Sequence, residues 1–216
     1  MKDMHYLNDS LWKKLRHLAK KELKRTVFSY CDFSSEIIFD IGANVGAYSL
    51  NMAIKYKNAK IYSFEPVPHN FDNLKKNMET NNCKNVNVFN FGFYEEKKII
   101  ELGIPKEDSK SKRENETYRI FNKAGLVDKV ECRFEVLDDF ILREKIKKID
   151  ILKIDTEGAE RYIFKKGLNA LSITKMMYVE ILEENADLID FFKSLNFRLI
   201  KIRRSNFLFM KENEND

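Results

Sequence analysis

Three short stretches of this chain carry residues whose types and spacing suit chemistry. The first reads Asp40-Ile41-Gly42-Ala43-Asn44-Val45-Gly46. Gly42 and Gly46 permit a positive φ and let a ligand lie against bare backbone. The turn opens into a helical pattern, whose first N–H groups attract negative charge. The second is Glu65, 19 residues after Gly46 and at the end of an apolar run. A carboxylate there can accept the hydroxyls of a ribose, so turn and acid together read as a nucleoside-recognition pair. The turn is not the dinucleotide fingerprint, because one glycine pair at wider spacing gives a pyrophosphate too few points of approach. It is not a P-loop either, since no Gly-Lys-Ser/Thr follows.

The third stretch is Asp155-Thr156-Glu157, with Glu180 near the end of the next strand-like run. Spacing of i, i+2 puts Asp155 and Glu157 on one side of an extended chain. Two neighbouring strand ends would then bring three carboxylates to one place. Clustered acids raise one another's pKa and can share a proton or bind a cation. Asp155 or Glu157 is the candidate general base or ligand of an acceptor hydroxyl, with Glu180 behind them. The plainer readings are a helix N-cap for Asp155, a first-turn acid for Glu157 and a structural ion pair for Glu180. Lys153 faces away from Ile154 and is available to pair with one of these acids. The three acids could offer oxygens to Mg²⁺, but no His/Cys spacing supports zinc, and no metal ligand is assigned. His69 reads as a solvated residue at a polar helix start, and His5 and His17 carry no motif.

These residues need elements to position them. Ile37 to Phe39, Lys60 to Phe64 and Val86 to Phe91 read as strands, separated by helical patterns over Ala47–Ile54 and Phe71–Met78. Strand–helix–strand alternation signals a parallel sheet with right-handed crossovers. Residues 94 to 148 interrupt the rhythm: Ile99–Ile104 and Val130–Leu137 can pair, around a charged loop from Pro105 to Arg119. The alternation resumes with Ile149–Ile154 and Met176–Ile181. Phe197–Ile202 and Phe207–Met210 close the chain as a hairpin around Arg203–Asn206. Residues 9 to 25 predict a basic helix with Ser10 as N-cap and a Leu11, Leu15, Leu18 stripe. It docks that stripe on the domain and solvates its lysines, or it meets a membrane surface or RNA.

Taken together, Phe39-Asp40-Ile41-Gly42-Ala43-Asn44-Val45-Gly46-x-Tyr48-Ser49, Phe64-Glu65-Pro66-x-Pro68-x-Asn70-Phe71 and Leu152-Lys153-Ile154-Asp155-x-Glu157-Gly158-x-Glu160 resemble the FkbM family of S-adenosylmethionine-dependent methyltransferases. The resemblance covers roughly residues 36 to 182. It implies an α/β fold: a Rossmann-like class I methyltransferase sheet, mostly parallel, with a C-terminal antiparallel hairpin and helices on both faces. The methyltransferase domain would span 36–216, with an insertion at about 94–148 and a basic helical extension at 1–35. The implied cofactor is S-adenosyl-L-methionine. Asp40, Gly42, Ala43, Asn44 and Gly46 would hold its methionine part and Glu65 its ribose. Asn90 and Phe91 would border adenine, with the Asn90 amide in place of the acid many methyltransferases carry there. The implied activity is methyl transfer to a hydroxyl of a sugar, glycan or small molecule. An RNA methyltransferase using Lys13 to Arg25 and the loop at 106–119 as phosphate contacts is an alternative. A non-catalytic cofactor-binding partner subunit and a nicotinamide oxidoreductase are others.

Composition bounds these readings. With 216 residues, 44% of them hydrophobic and 34% charged, the chain suits one folded domain and excludes a disordered or collagen-like one. A net charge of +5 is too small to argue for nucleic acid. Cys31, Cys83 and Cys132 are odd in number and far apart, which suits reduced thiols and a cytoplasmic setting. The first residues lack the apolar core of a signal peptide, and no run approaches a membrane span.

Overall fold

The computed structural model describes residues 9–30, 36–105 and 126–212. Its elements run α1 (Asp9–Arg25), β1 (Ile37–Ile41), α2 (Ala47–Lys55), β2 (Lys60–Phe64), α3 (Pro68–Thr80), β3 (Val86–Phe89), β4 (Gly92–Phe93), β5 (Lys98–Pro105) and β6 (Leu126–Glu135). There follow α4 (Leu137–Arg143), β7 (Ile149–Ile154), α5 (Glu160–Lys165), α6 (Leu168–Ser172), β8 (Thr174–Glu180), α7 (Leu188–Ser194), β9 (Phe197–Arg203) and β10 (Asn206–Lys211).

Seven strands form the main sheet in the order β3-β2-β1-β7-β8-β10-β9. The first five are parallel, and β10 slots antiparallel between β8 and β9. The order in which successive strands are added reverses between β1 and β7, the switch point where doubly wound sheets open a ligand crevice at their carboxyl ends. The fold is therefore the Rossmann-like arrangement expected from the alternation, with its C-terminal hairpin. That hairpin turns at Arg204, whose φ is 56°.

All six residues of β7 are buried, because helices cover both faces of a central parallel strand. Alternation then sorts the neighbours by face. Phe39, Phe64, Leu152 and Phe140 meet on one side, where Phe64 and Phe140 pack edge to face at 5.0 Å. Ile38, Ile61, Ile151 and Tyr178 meet on the other, joined there by Leu23 of α1 and by Val27. The register of β1 is pinned at its start by Asp150, whose Oδ2 accepts the Glu36 and Ile37 N–H groups at 2.8 and 2.9 Å.

The insertion builds a second sheet, β4-β6-β5, and β5 pairs β6 antiparallel as the pattern predicts. The charged loop expected there falls mostly on 106–125, outside the described residues, as do Cys31 and His5. Cys83 and Cys132 are free thiols. Among the described residues no helix is long and apolar enough to cross a membrane.

The N-terminal helix departs from expectation in its phase. Asp9 already lies within α1, so Ser10 is inside the helix and not at its cap. The docked side is made by half-buried Trp12 and Leu15 and by buried Ala19 and Leu23, whereas Leu18 is 51% exposed. A three-residue Leu spacing places Leu18 about 60° round from Leu15, off the contact line. The short helix α6 and a 3₁₀ turn at Glu183–Asn185 carry too few residues to show a period.

Candidate active site

The site is built where β1, β2 and β7 end. Gly42 has φ +74°, and a Cβ there would sit 1.9 Å from the Asp155 carbonyl oxygen. Only glycine lets the two strand tips touch. The Gly42 and Ala43 N–H groups both donate to the Phe64 carbonyl, at 3.0 and 2.9 Å, folding the turn back onto β2. Asn44 follows with φ 49° and donates its N–H to Glu65 Oε2 at 2.8 Å. Val67 N–H donates to Oε1 at 3.0 Å, and the Asn70 side chain adds a third bond. Burial pushes the Glu65 carboxyl up to about 7, against the lowering effect of these donors and of Lys153. A carboxylate has about four lone-pair directions. Three are engaged by the protein, which leaves room for one strong donor from a ligand.

Beneath the turn lies a buried cation. Lys153, 1% exposed, donates from Nζ to the Gly42 carbonyl at 2.9 Å and pairs with Asp40 Oδ1 at 3.0 Å and Asp155 Oδ2 at 3.8 Å. Its Nζ also lies 4.9 Å from the centre of the Tyr48 ring. Burial works against the charge, but Asp40 and Asp155 more than offset it and hold the lysine pKa above its usual value. The expected pairing of Lys153 with one of the Asp155, Glu157 and Glu180 acids is met at Asp155, and the shorter pair with Asp40 adds to it.

Asp155 itself leads into Thr156-Glu157-Gly158, a loop with φ 57° at Glu157 and 104° at Gly158. Buried Glu160 shapes it. Glu160 Oε1 accepts the Thr156 hydroxyl at 2.7 Å and the Thr156 N–H at 3.1 Å, while Asn185 donates to Oε2 at 3.2 Å. The result brings carboxylate oxygens of Asp155, Glu157 and Glu180 within 4.8 Å of one another, all three residues half-buried. Ser205 donates its hydroxyl to Glu180 Oε1 at 2.7 Å. Burial, the charge of Asp155 and then Glu157 raise the Glu180 carboxyl to about 8. At neutral pH the three-carboxylate cluster as a whole therefore holds on to a proton.

A cleft opens over the glycine turn, Glu65 and the Asp155–Glu157 loop. Gly42, Asn44, Glu65, Asp155, Thr156 and Glu157 give it a polar floor, and Val67, Phe93, Leu102 and Phe134 an apolar wall. A second cleft, about 630 Å³, lies across the turn, walled by Leu15, Leu18 and Glu22 of α1 and by Tyr48 and Lys153. Gly42, Asn44 and Asp155 line both clefts.

Several expected contacts fall elsewhere. Asp40 is fully buried, bonded to the Ser49 hydroxyl at 2.5 Å and to Lys153, and does not reach the cleft. Gly46 has φ +89° and packs against Leu74 and Met78, and Ala43 lines the second cleft. Phe91 is a core residue, 3% exposed, packed on Phe64, Phe93 and Phe140. Gly92 and Phe93 line the cleft in its place. The Asn90 amide donates to the Glu65 and Pro66 carbonyls, so it braces the β2 tip. His69 is exposed at the start of α3 and does not line the cleft.

Residues 40–199 match the model of the methyltransferase FkbM domain, about three quarters of the chain. The chain belongs to the FkbM methyltransferase family. Among relatives of this FkbM chain, methyltransferase sdnD of Sordaria araneosa is 32% identical over 159 residues, which cover 61% of this chain and 60% of that protein. The hexuronic acid methyltransferase AglP of Haloferax volcanii is 23% identical over 146 residues, covering 68% and 56%. The chain thus spans about three fifths of the length of these curated relatives. In three dimensions it resembles the FkbM methyltransferase of Methylobacillus flagellatus, with a TM-score of 0.57 at 15% identity over 92% of this chain and 57% of that one.

Four residues of this candidate site escaped assignment from sequence: Asn70, Thr156, Glu160 and Glu22. The first three lie within or beside the motifs, so proximity was the available signal. Glu22 had none beyond being the lone acid of a basic segment.

Proposed function

We propose that this chain is an S-adenosylmethionine-dependent O-methyltransferase that methylates a hydroxyl of a sugar, glycan or small molecule in the cytoplasm. The observation that carries the reading is one cleft lined by the glycine turn, Glu65, Asp155 and Glu157, with the Glu180 carboxylate outside that lining but within 4.8 Å of those of Asp155 and Glu157. The residues fit the nucleoside cofactor. Glu65 keeps a lone-pair direction for a ribose hydroxyl, Gly42 lines the cleft beside it, and Val67 with Phe93 offers an apolar surface for a base. When bound, S-adenosylmethionine supplies an electrophilic methyl group on a sulfonium sulfur.

The chain's own residues do the rest. Asp155 is placed to take the proton of an acceptor hydroxyl, since an alcohol needs a base at neutral pH. Glu180 steadies Asp155 through the hydrogen bond between their carboxyl groups, and Lys153 fixes both the Asp155 side chain and the Gly42 carbonyl. The apolar wall from β4–β6 excludes water from the cleft. The uronic acid substrate named for AglP supports a sugar acceptor.

The test is transfer of radiolabelled methyl from S-adenosylmethionine to hexuronate-containing glycans, neutral sugars and RNA side by side. Label on the sugar hydroxyls, lost in Asp155→Asn, is the expected result. Label on RNA alone, or transfer unaffected by Asp155→Asn, contradicts the proposal.

A further inference from the structure

The helix α1 carries a charge pattern that the fold does not use. Between residues 13 and 25 it has seven Lys and Arg residues and one acid, a net +6 in a chain whose total is +5. The basic excess of the whole protein therefore sits on residues 13–25 of this helix, and the remainder of the chain is at −1. Lys13, Lys14, Lys20, Lys21, Lys24 and Arg25 are all exposed, and Arg16 is half-buried. None of the seven forms an ion pair among the described residues.

The one acid has been withdrawn from that face. Glu22 points inward, where the Tyr178 hydroxyl donates to Oε1 at 2.8 Å and the Tyr48 hydroxyl to Oε2 at 3.0 Å. A solvated helix ordinarily intersperses Glu with Lys at i, i+4. Here Arg16–Lys20, Lys20–Lys24 and Lys21–Arg25 are like-charged at that spacing, which is unfavourable for an isolated helix. By helical geometry the cations fill about half of the circumference, opposite Ala19 and Leu23. Beside Lys14, Lys21 and Arg25 on that wheel stands Leu18, 51% exposed.

We infer that the outer face of α1 docks on an anionic lipid bilayer. Charge complementarity names the partner: a half-circumference of cations, none ion-paired among the described residues, presents a broad surface, and each Lys or Arg near an anionic leaflet contributes about 1 kcal/mol. Leu18 supplies an apolar side chain among the charges, which suits the headgroup boundary and has no use against a phosphate backbone. Leu18 also walls the second cleft. The docked protein would hold that cleft at the membrane surface, where an acceptor carried on a lipid is presented.

The experiment is co-sedimentation of the full chain with vesicles of phosphatidylcholine alone or enriched in phosphatidylglycerol, at low and high salt. Binding to the anionic vesicles only, lost at high salt, is expected. The triple variant Lys13→Gln/Lys20→Gln/Lys24→Gln should partition on the order of a hundredfold less, about fivefold per cation, with an unchanged melting temperature. Lys14→Gln/Lys21→Gln/Arg25→Gln is the second variant and should behave alike. Leu18→Gln should weaken binding while leaving its salt dependence in place. Failure to bind anionic vesicles overturns the inference. So does full binding by both triple variants, or tighter binding to polyuridylate than to vesicles in the same salt. Sedimentation needs neither cofactor nor acceptor, so its outcome is independent of the methyl-transfer proposal.

Discussion

Glu65 ties cofactor binding to pH. Its carboxyl is raised to about 7 because burial disfavours the charge more than the Val67, Asn44 and Asn70 donors restore it. A ribose hydroxyl donating to this group needs the ionised form. At about pH 8 nearly all of the free protein is ready. At about pH 6 roughly nine tenths is protonated, and binding must first spend about 1.4 kcal/mol to remove the proton. The dissociation constant for S-adenosylhomocysteine should therefore be about tenfold weaker at the lower pH. Near neutrality, binding should release about half a proton, read by calorimetry in buffers of different ionisation enthalpy. Glu65→Gln removes the titration and sets one amide N–H against a backbone N–H. It should flatten the pH dependence and weaken binding by about 1–3 kcal/mol, roughly five- to 150-fold. A constant affinity across this pH range with no proton release, or a Glu65→Gln protein that binds as the wild type does, refutes the reasoning.

The remaining predictions concern the scaffold beneath the site. Gly42→Ala forces a Cβ onto the Asp155 carbonyl at positive φ and should cost at least about 2 kcal/mol in urea denaturation, with loss of S-adenosylhomocysteine binding. Lys153→Met leaves the Asp40 carboxylate buried without its cation and should cost about 3–5 kcal/mol, most of it recovered by adding Asp40→Asn in a double-mutant cycle. Glu180 has a native pKa raised to about 8, so the native state holds its proton more tightly than the unfolded chain. Its contribution to stability is thus fully present below the unfolded carboxylate value and fades as pH rises through about 8. Glu180→Gln should flatten that part of the melting-temperature profile. Asp155→Asn should leave S-adenosylhomocysteine affinity nearly intact and slow methyl transfer by about 10²- to 10⁴-fold.

What could be read from sequence follows from how local each signal is. Ile37–Phe39, Lys60–Phe64 and Ile149–Ile154 announce themselves because strands buried on both faces are mostly apolar, and the parallel sheet follows from their spacing. Gly42 shows because only glycine serves there. Phe91 was misplaced because the side to which a strand-end residue points depends on one residue of phase, and the two-residue strand β4 shifted the cleft to Gly92 and Phe93. Asp40 misled for a similar reason: an acid beside a glycine turn looks ligand-facing until its cation, 113 positions away at Lys153, is seen. Non-local partners such as Glu22 with Tyr178 leave no periodicity to detect, and the face that α1 buries could be settled only by its contact with α2.

The most direct measurement is a crystal structure of the chain with S-adenosylhomocysteine. One ribose hydroxyl should bond Glu65, the base should lie against Val67 and Phe93, and the sulfur should turn toward Asp155. A nucleoside bound outside the Gly42–Glu65–Asp155 cleft, or bound there with its ribose away from Glu65, contradicts this placement.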